Sequence, residues 1–218
     1  MTLTEQKRFI EEFKESRVIV VCRGVDEDKI VKVAEALYAG GIRFMEVPFN
    51  QSDAASFAST ARKIALVAEA MQGKMHVGAG TTLTEEQLRL AAEAGAEVIV
   101  APNMDEDIIR MTKEAGLISM PGCMTPSEML RAHKLGADLI KLFPSSVVNV
   151  KMIKEIAVPL SHLSMVCFGG VTADNVGDFM TMGLAGVGVG SAILDKQAVA
   201  TGDYGKITAL ARAITEKI

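Results

Sequence analysis

Tryptophan is absent from this 218-residue sequence, aromatic residues amount to 5%, and cysteine occurs only three times. Cys22, Cys123 and Cys167 are odd in number and lack CxxC spacing, which supports neither a disulfide framework nor a zinc site. Reduced thiols near strand ends are expected instead. There is no basic stripe or aromatic-rich ribbon, and the formal net charge is -4. The electrostatic footprint of a nucleic-acid-binding protein is therefore missing, and only a small local anion site fits. No apolar run approaches the roughly 20 residues that a membrane span needs. The N-terminal stretch MTLTEQKRFIEEFKESR alternates charged and apolar residues at helical spacing, unlike the apolar centre of a secretory signal. It reads as an amphipathic helix, and a cytoplasmic location is expected. His76, His133 and His162 are scattered without ligand spacing and read as solvated or core residues, so no metal is expected.

What the chain does contain is ordinary for a globular protein: 49% hydrophobic and 23% charged residues, with no disordered tail. Its length suits one domain spanning 1–218. Eight β-rich runs alternate with longer amphipathic stretches: 18–22, 42–49, 75–80, 97–103, 117–123, 139–144, 164–170 and 185–191. Between them, EDKIVKVAEALYAG repeats apolar residues at three and four and stops on glycine. Thr84 and Thr125 stand where N-caps belong, the latter followed by Pro126. Parallel strands joined by crossover helices produce this order. Eight units argue for a compact (β/α)8 TIM barrel with an N-terminal helix, the alternative being an open doubly wound sheet. The chain is shorter than the usual barrel of about 250 residues, so its loops must be short, and oligomerisation would offset thin packing.

A buried parallel strand should be continuously apolar, so a charge within one needs a partner or a task. Lys141 interrupts LIKLFP, and the two-residue alternation groups it with Leu139 and Phe143. Glu46 interrupts FMEVPF and shares a face with Phe44 and Pro48. If these faces line the barrel, burial lowers the lysine pKa and leaves free amine to attack a carbonyl. A carboxylate beside the resulting iminium can move the proton on the adjacent carbon. A buried ion pair that only braces the barrel would carry the same pattern.

The seventh and eighth runs add a second element. CFGGVTADN places Gly169 and Gly170 before an expected helix, and GVGVGSAIL places Gly188, Gly190 and Ser191 before a short one. In barrels the loops after strands seven and eight commonly hold phosphate through backbone N–H groups and a helix N-terminus. Glycines that only turn tight corners are the plainer reading of each loop alone. Their coincidence at both strands points to a phosphorylated substrate.

The segments MEVPFN, VGAGTTL, VAPNM, MPGCMTPSEM, IKLFPSS and FGGVT, each in order at the end of an expected strand, resemble those of the 2-keto-3-deoxy-6-phosphogluconate and 4-hydroxy-2-oxoglutarate aldolases. The likeness runs through nearly the whole chain. It implies that Lys141 forms the carbinolamine and imine while Glu46 shuttles protons. It further implies that Thr81 holds the pyruvyl carboxylate, that Pro102 and Phe143 wall the imine, and that Gly169, Gly170, Gly190 and Ser191 cradle phosphate. Arg23 corresponds to a basic substrate-binding position in part of the family, although a surface loop arginine would look the same. The family also implies a homotrimer, a small 2-keto acid substrate and no cofactor.

Two positions depart from the family's usual pattern, Asn50 from the gluconate type and Phe168 from both the gluconate and the galactonate types. Asn50 stands where an arginine usually follows the catalytic glutamate, and the EVPFN, PGC and FPSS wording is closer to the 2-keto-3-deoxy-6-phosphogalactonate aldolases. Phe168 precedes the twin glycines where threonine or valine is usual, which alters pocket volume near the stereocentre. The expected reaction is class I aldol cleavage of a phosphorylated sugar acid to pyruvate and glyceraldehyde 3-phosphate. Cleavage of 4-hydroxy-2-oxoglutarate to pyruvate and glyoxylate is the alternative. A phosphate-binding barrel isomerase or synthase would not need Lys141, and a phospho-sugar sensor would keep the pocket without turnover.

Overall fold

The computed structural model describes residues 1–148 and 150–218. Helix α1 (Leu3–Ser16) opens on a capping box: the Thr2 hydroxyl accepts from the Glu5 N–H, and the Glu5 carboxylate reaches back to the Thr2 N–H. It ends at Arg17, which turns into the left-handed region. Then strands and helices alternate. They run β1 (Val18–Val21), α2 (Ile30–Ala39), β2 (Phe44–Pro48), α3 (Phe57–Ala70), β3 (His76–Gly80), α4 (Glu85–Glu93), β4 (Val98–Val100), α5 (Glu106–Glu114) and β5 (Ile118–Met120). The second half holds β6 (Gly122–Cys123), α6 (Pro126–Lys134), β7 (Ile140–Leu142), α7 (Val150–Ala157), β8 (Met165–Phe168), α8 (Val176–Met180), β9 (Gly186–Val189), α9 (Lys196–Thr201) and α10 (Tyr204–Thr215).

All strand pairs are parallel, in the order β5-β4-β3-β2-β1-β9-β8-β7-β6. β5 and β6 are two halves of the fifth expected run, separated by Pro121, whose nitrogen has no proton for a ladder. Their backbone groups bond to both neighbours: Ala101 donates to Met120 on one side, and Lys141 donates to the Pro121 carbonyl on the other. The sheet thus closes into a TIM-type barrel, and the open-sheet alternative falls.

Period-two alternation sorts side chains between two cores. One side of the strands packs against the surrounding helices. The other gathers Ile19, Phe44, Val98, Ile118, Leu139 and Val166 inside the barrel, where α1 adds Phe9 and Phe13. Both helix rings meet Phe44 edge-on at 5.1 Å, which plugs the N-terminal mouth and adds about 0.5–1.5 kcal/mol per pair beyond burial. Just ahead of β7, the Asp138 carboxylate accepts from Lys113 Nζ at 2.6 Å and from the Ser119 N–H at 2.8 Å. That half-buried anchor pins the strand carrying Lys141. Helix caps follow the sequence expectation: Thr84 and Thr125 accept from Gln87 and Glu128 N–H groups, and Pro126 opens α6.

Candidate active site

Above the apolar layer the barrel lining turns polar. On β2, Glu46 lies one pleat above Phe44, and on β7, Lys141 lies one pleat above Leu139. Both point inward and are buried, with exposures of 2% and 7%. Glu46 fits because Gly80 of β3 has no side chain: a Cβ there would stand 1.9 Å from Glu46 Oε2. Burial raises the Glu46 carboxyl to about 7 against the opposing pull of the Lys141 and Arg23 charges. The same cause lowers the Lys141 amine to about 8, with Glu46 holding it up and Arg23 pushing it down. Glu46 Oε2 is buried without a hydrogen-bond partner. A carboxylate that served only to brace the barrel should be fully bonded.

Lys141 and Glu46 face a cavity of about 490 Å³ at the C-terminal end of the strands. All of the site residues expected from the sequence line it: Arg23, Glu46, Thr81, Pro102, Lys141, Phe143, Phe168, Gly169, Gly170, Gly190 and Ser191. Lys141 Nζ sits 4.7 Å from the Phe143 ring centre and 4.4 Å from that of Phe168. The Phe168 ring lies over Gly188, where a Cβ would come within 2.2 Å of it. Arg23 donates to the Thr81 hydroxyl at 3.2 Å. Thr81 itself has a φ of 52°, rare for a β-branched residue.

The glycine loops differ from expectation in one respect. Gly169 and Gly170 both have positive φ, so the chain cannot enter a helix there, and α8 begins only at Val176. After β9 the chain makes one turn, with Ile193 and Leu194 donating to the Gly190 carbonyl, before α9 starts at Lys196. Both glycine segments are therefore turns, with the helices starting several residues further on. Around them, Ser145 Oγ donates to the Gly169 carbonyl and Asn175 Nδ2 to the Gly170 carbonyl, each at 2.8 Å. Val171, Thr172 and Ala192 also line the cavity.

A larger space of about 630 Å³ opens at the opposite, N-terminal mouth beside α1. It holds His76, whose ring nitrogens meet Glu12 at 2.6 Å and Glu97 at 2.8 Å. No lysine there is buried, and it shares no residue with the Lys141 cavity. Among the described residues no group of three histidine, cysteine or acidic side chains could hold a metal ion. Among the same residues no helix is long and apolar enough to cross a membrane. The three cysteines are buried and free, and burial pushes the Cys123 and Cys167 thiols up to about 12.

Gln51 and Gln87 were not anticipated. Gln51 Nε2 donates to the Thr81 carbonyl at 2.7 Å, and Gln87 Nε2 donates to Gln51 Oε1 at 2.9 Å. The readable signal was Thr84-x-x-Gln87, the spacing of a capping box. The Gln87 oxygen instead accepts from the Leu83 N–H at 2.7 Å, one residue short of the cap.

The chain matches the family described as KDPG and KHG aldolase over residues 9–210. It is 33% identical over 190 residues to a probable 2-dehydro-3-deoxy-6-phosphogalactonate aldolase of Rhizobium meliloti (strain 1021), covering 87% of this chain and 86% of that one. It is also 33% identical over 187 residues to the KHG/KDPG aldolase of Escherichia coli (strain K12), covering 85% and 84%. Among solved structures, the KDPG aldolase of Legionella pneumophila with pyruvate captured as a covalent carbinolamine superposes with a TM-score of 0.83 at 25% identity, over 93% and 95% of the two chains. A chain that matches over this length, with a buried lysine and carboxyl at the C-terminal mouth of its barrel, belongs to the KDPG and KHG aldolase family and is an aldolase, hence a lyase.

Proposed function

We propose that the protein is a class I aldolase acting on a 2-keto-3-deoxy-6-phospho sugar acid, with Lys141 as the covalent catalyst. The observation that carries this reading is the pairing, in one cavity, of a buried amine with a buried carboxyl, one of whose oxygens lacks a bonding partner. Lys141 attacks the C2 ketone as the free amine. The carbinolamine loses water with Glu46 moving the protons, and the protonated imine becomes the electron sink. Glu46 takes the C4 hydroxyl proton, the C3–C4 bond breaks, and its electron pair moves toward the imine nitrogen. Glyceraldehyde 3-phosphate leaves and an enamine remains. Glu46 returns a proton to C3, and hydrolysis releases pyruvate and Lys141.

Thr81 and Arg23 hold the carboxylate end of the keto acid, while Pro102, Phe143 and Phe168 exclude water around the imine. Gly169, Gly170, Gly190 and Ser191 offer backbone N–H groups and a hydroxyl to the phosphate. Two glycine turns at one rim favour a phosphorylated substrate over 4-hydroxy-2-oxoglutarate. Resemblance to the family, together with the exposed side chains of Val147 and Val150, supports a homotrimer, for which light scattering is the check. The deciding experiment treats the protein with pyruvate and borohydride. A reduced adduct on Lys141 is expected, and its absence refutes the mechanism. Full trapping without cleavage of any gluconate-, galactonate- or hydroxyoxoglutarate-type substrate would mean a sensor.

A further inference from the structure

Thr81 is held from two sides. Its hydroxyl accepts from Arg23, and its carbonyl accepts from Gln51. The Gln51 amide oxygen then accepts from Gln87, and the Gln87 oxygen accepts from the Leu83 N–H. Two side-chain amides thus staple residues 81 and 83 of the same turn. Their orientations are mutually fixed: the Leu83 N–H demands an oxygen, the Thr81 carbonyl demands an NH₂, and only one arrangement of the two amides meets both. Gln87 is fully buried on the first turn of α4, and Gln51 is exposed in the loop that follows the strand of Glu46. The staple therefore joins the loop after β2 to the loop after β3.

A threonine in the left-handed region persists only where its surroundings over-determine it. From this we infer that Gln51 and Gln87 are positioning residues for the reaction: they hold Thr81 in its unusual conformation so that its hydroxyl faces the keto-acid carboxylate. The inference rests on the aldolase reading above. Neither glutamine lines the cavity, so their influence must pass through Thr81.

The test measures borohydride-trapped pyruvate adduct against pyruvate concentration for the unaltered protein, Gln51→Met, Gln87→Met and the double variant. Each single change should raise the half-saturating pyruvate concentration about tenfold, within the range set by small misplacements of a binding group. The trapping rate at saturation and its pH midpoint should hold, because neither residue touches Lys141. The double variant should be no worse than either single one, as a shared relay requires. Half-saturation is independent of how much protein is folded, so a less stable Gln87→Met still reports. If Gln51→Met saturates like the unaltered protein, or if the two effects multiply, the relay is wrong while the Schiff base stands. If the unaltered protein forms no adduct, the aldolase reading fails first, and the role given to Thr81 fails with it.

Discussion

Replacing Glu46 with glutamine should make the protein more stable and nearly inactive. A carboxyl that titrates at about 7 when folded and near 4.5 when free binds its proton more tightly in the native state. Below the lower value it is protonated in both states and the folded protein bears no penalty. As pH rises from 4.5 toward 7 the unfolded chain releases the proton first, so native stability falls, and above about 7 the whole cost is present. The interval corresponds to about 3 kcal/mol. Glutamine is nearly isosteric with the protonated acid and does not titrate, so Glu46→Gln should gain about that amount at pH 8 and little at pH 4. For a chain of this size the gain is about 6 to 12 °C in Tm. Thermal or urea unfolding of both proteins across pH 4–8 measures it. Cleavage should fall by about 10²- to 10⁴-fold, the usual contribution of a positioned acid or base. A variant no more stable than the parent at pH 8, or equally offset at every pH, would refute the claim that burial perturbs this carboxyl.

Three further outcomes follow from the same geometry. With its amine held at about 8, Lys141 should trap pyruvate at a rate that drops about tenfold per pH unit below that value, and Lys141→Met should trap none, as intact mass will show. Gly80→Ala places a methyl against the Glu46 carboxylate, a movable group, so cleavage should collapse while the fold survives by circular dichroism. At the other mouth, burial opposes charging of His76, but its bonds to Glu97 and Glu12 win and the pKa is raised. Two carboxylates accepting from one ring require the imidazolium, so its stabilisation is fully present below about 6.5 and is lost as pH rises through the folded value. His76→Phe should thus trail the parent more at pH 6 than at pH 9 in unfolding experiments.

Much of this architecture was legible because it repeats. Eight apolar runs separated by helical stretches imply closure, and Lys141 and Glu46 stood out because a strand buried on both faces has no ordinary place for charge. The break at Pro121 was not drawn from the LISMPGC run, although a proline there brings no proton to the ladder and so marks the place where the strand divides into β5 and β6. The glycine loops were read as helix entries because position was clear and conformation was not. Consecutive positive φ values at Gly169 and Gly170 exclude a helix start, a fact no composition reveals. Gln51 and Gln87 escaped for a different reason. Polar residues bonded to backbone at irregular spacing leave no period, and the left-handed φ of Thr81, whose carbonyl Gln51 meets, cannot be read from residue types.

Phe168 shows how far single positions can be read. In the sequence it stood out only as a phenylalanine where threonine or valine is usual, a change expected to alter pocket volume. The ring in fact occupies space vacated across the barrel lining by Gly188, which could not carry even a methyl without colliding with it. The volume beside Lys141 therefore belongs to the pair, not to either residue. The shape of the cavity wall at this point is set by two strands in register, Phe168 of β8 against Gly188 of β9, so enlarging either residue changes the space left by the other.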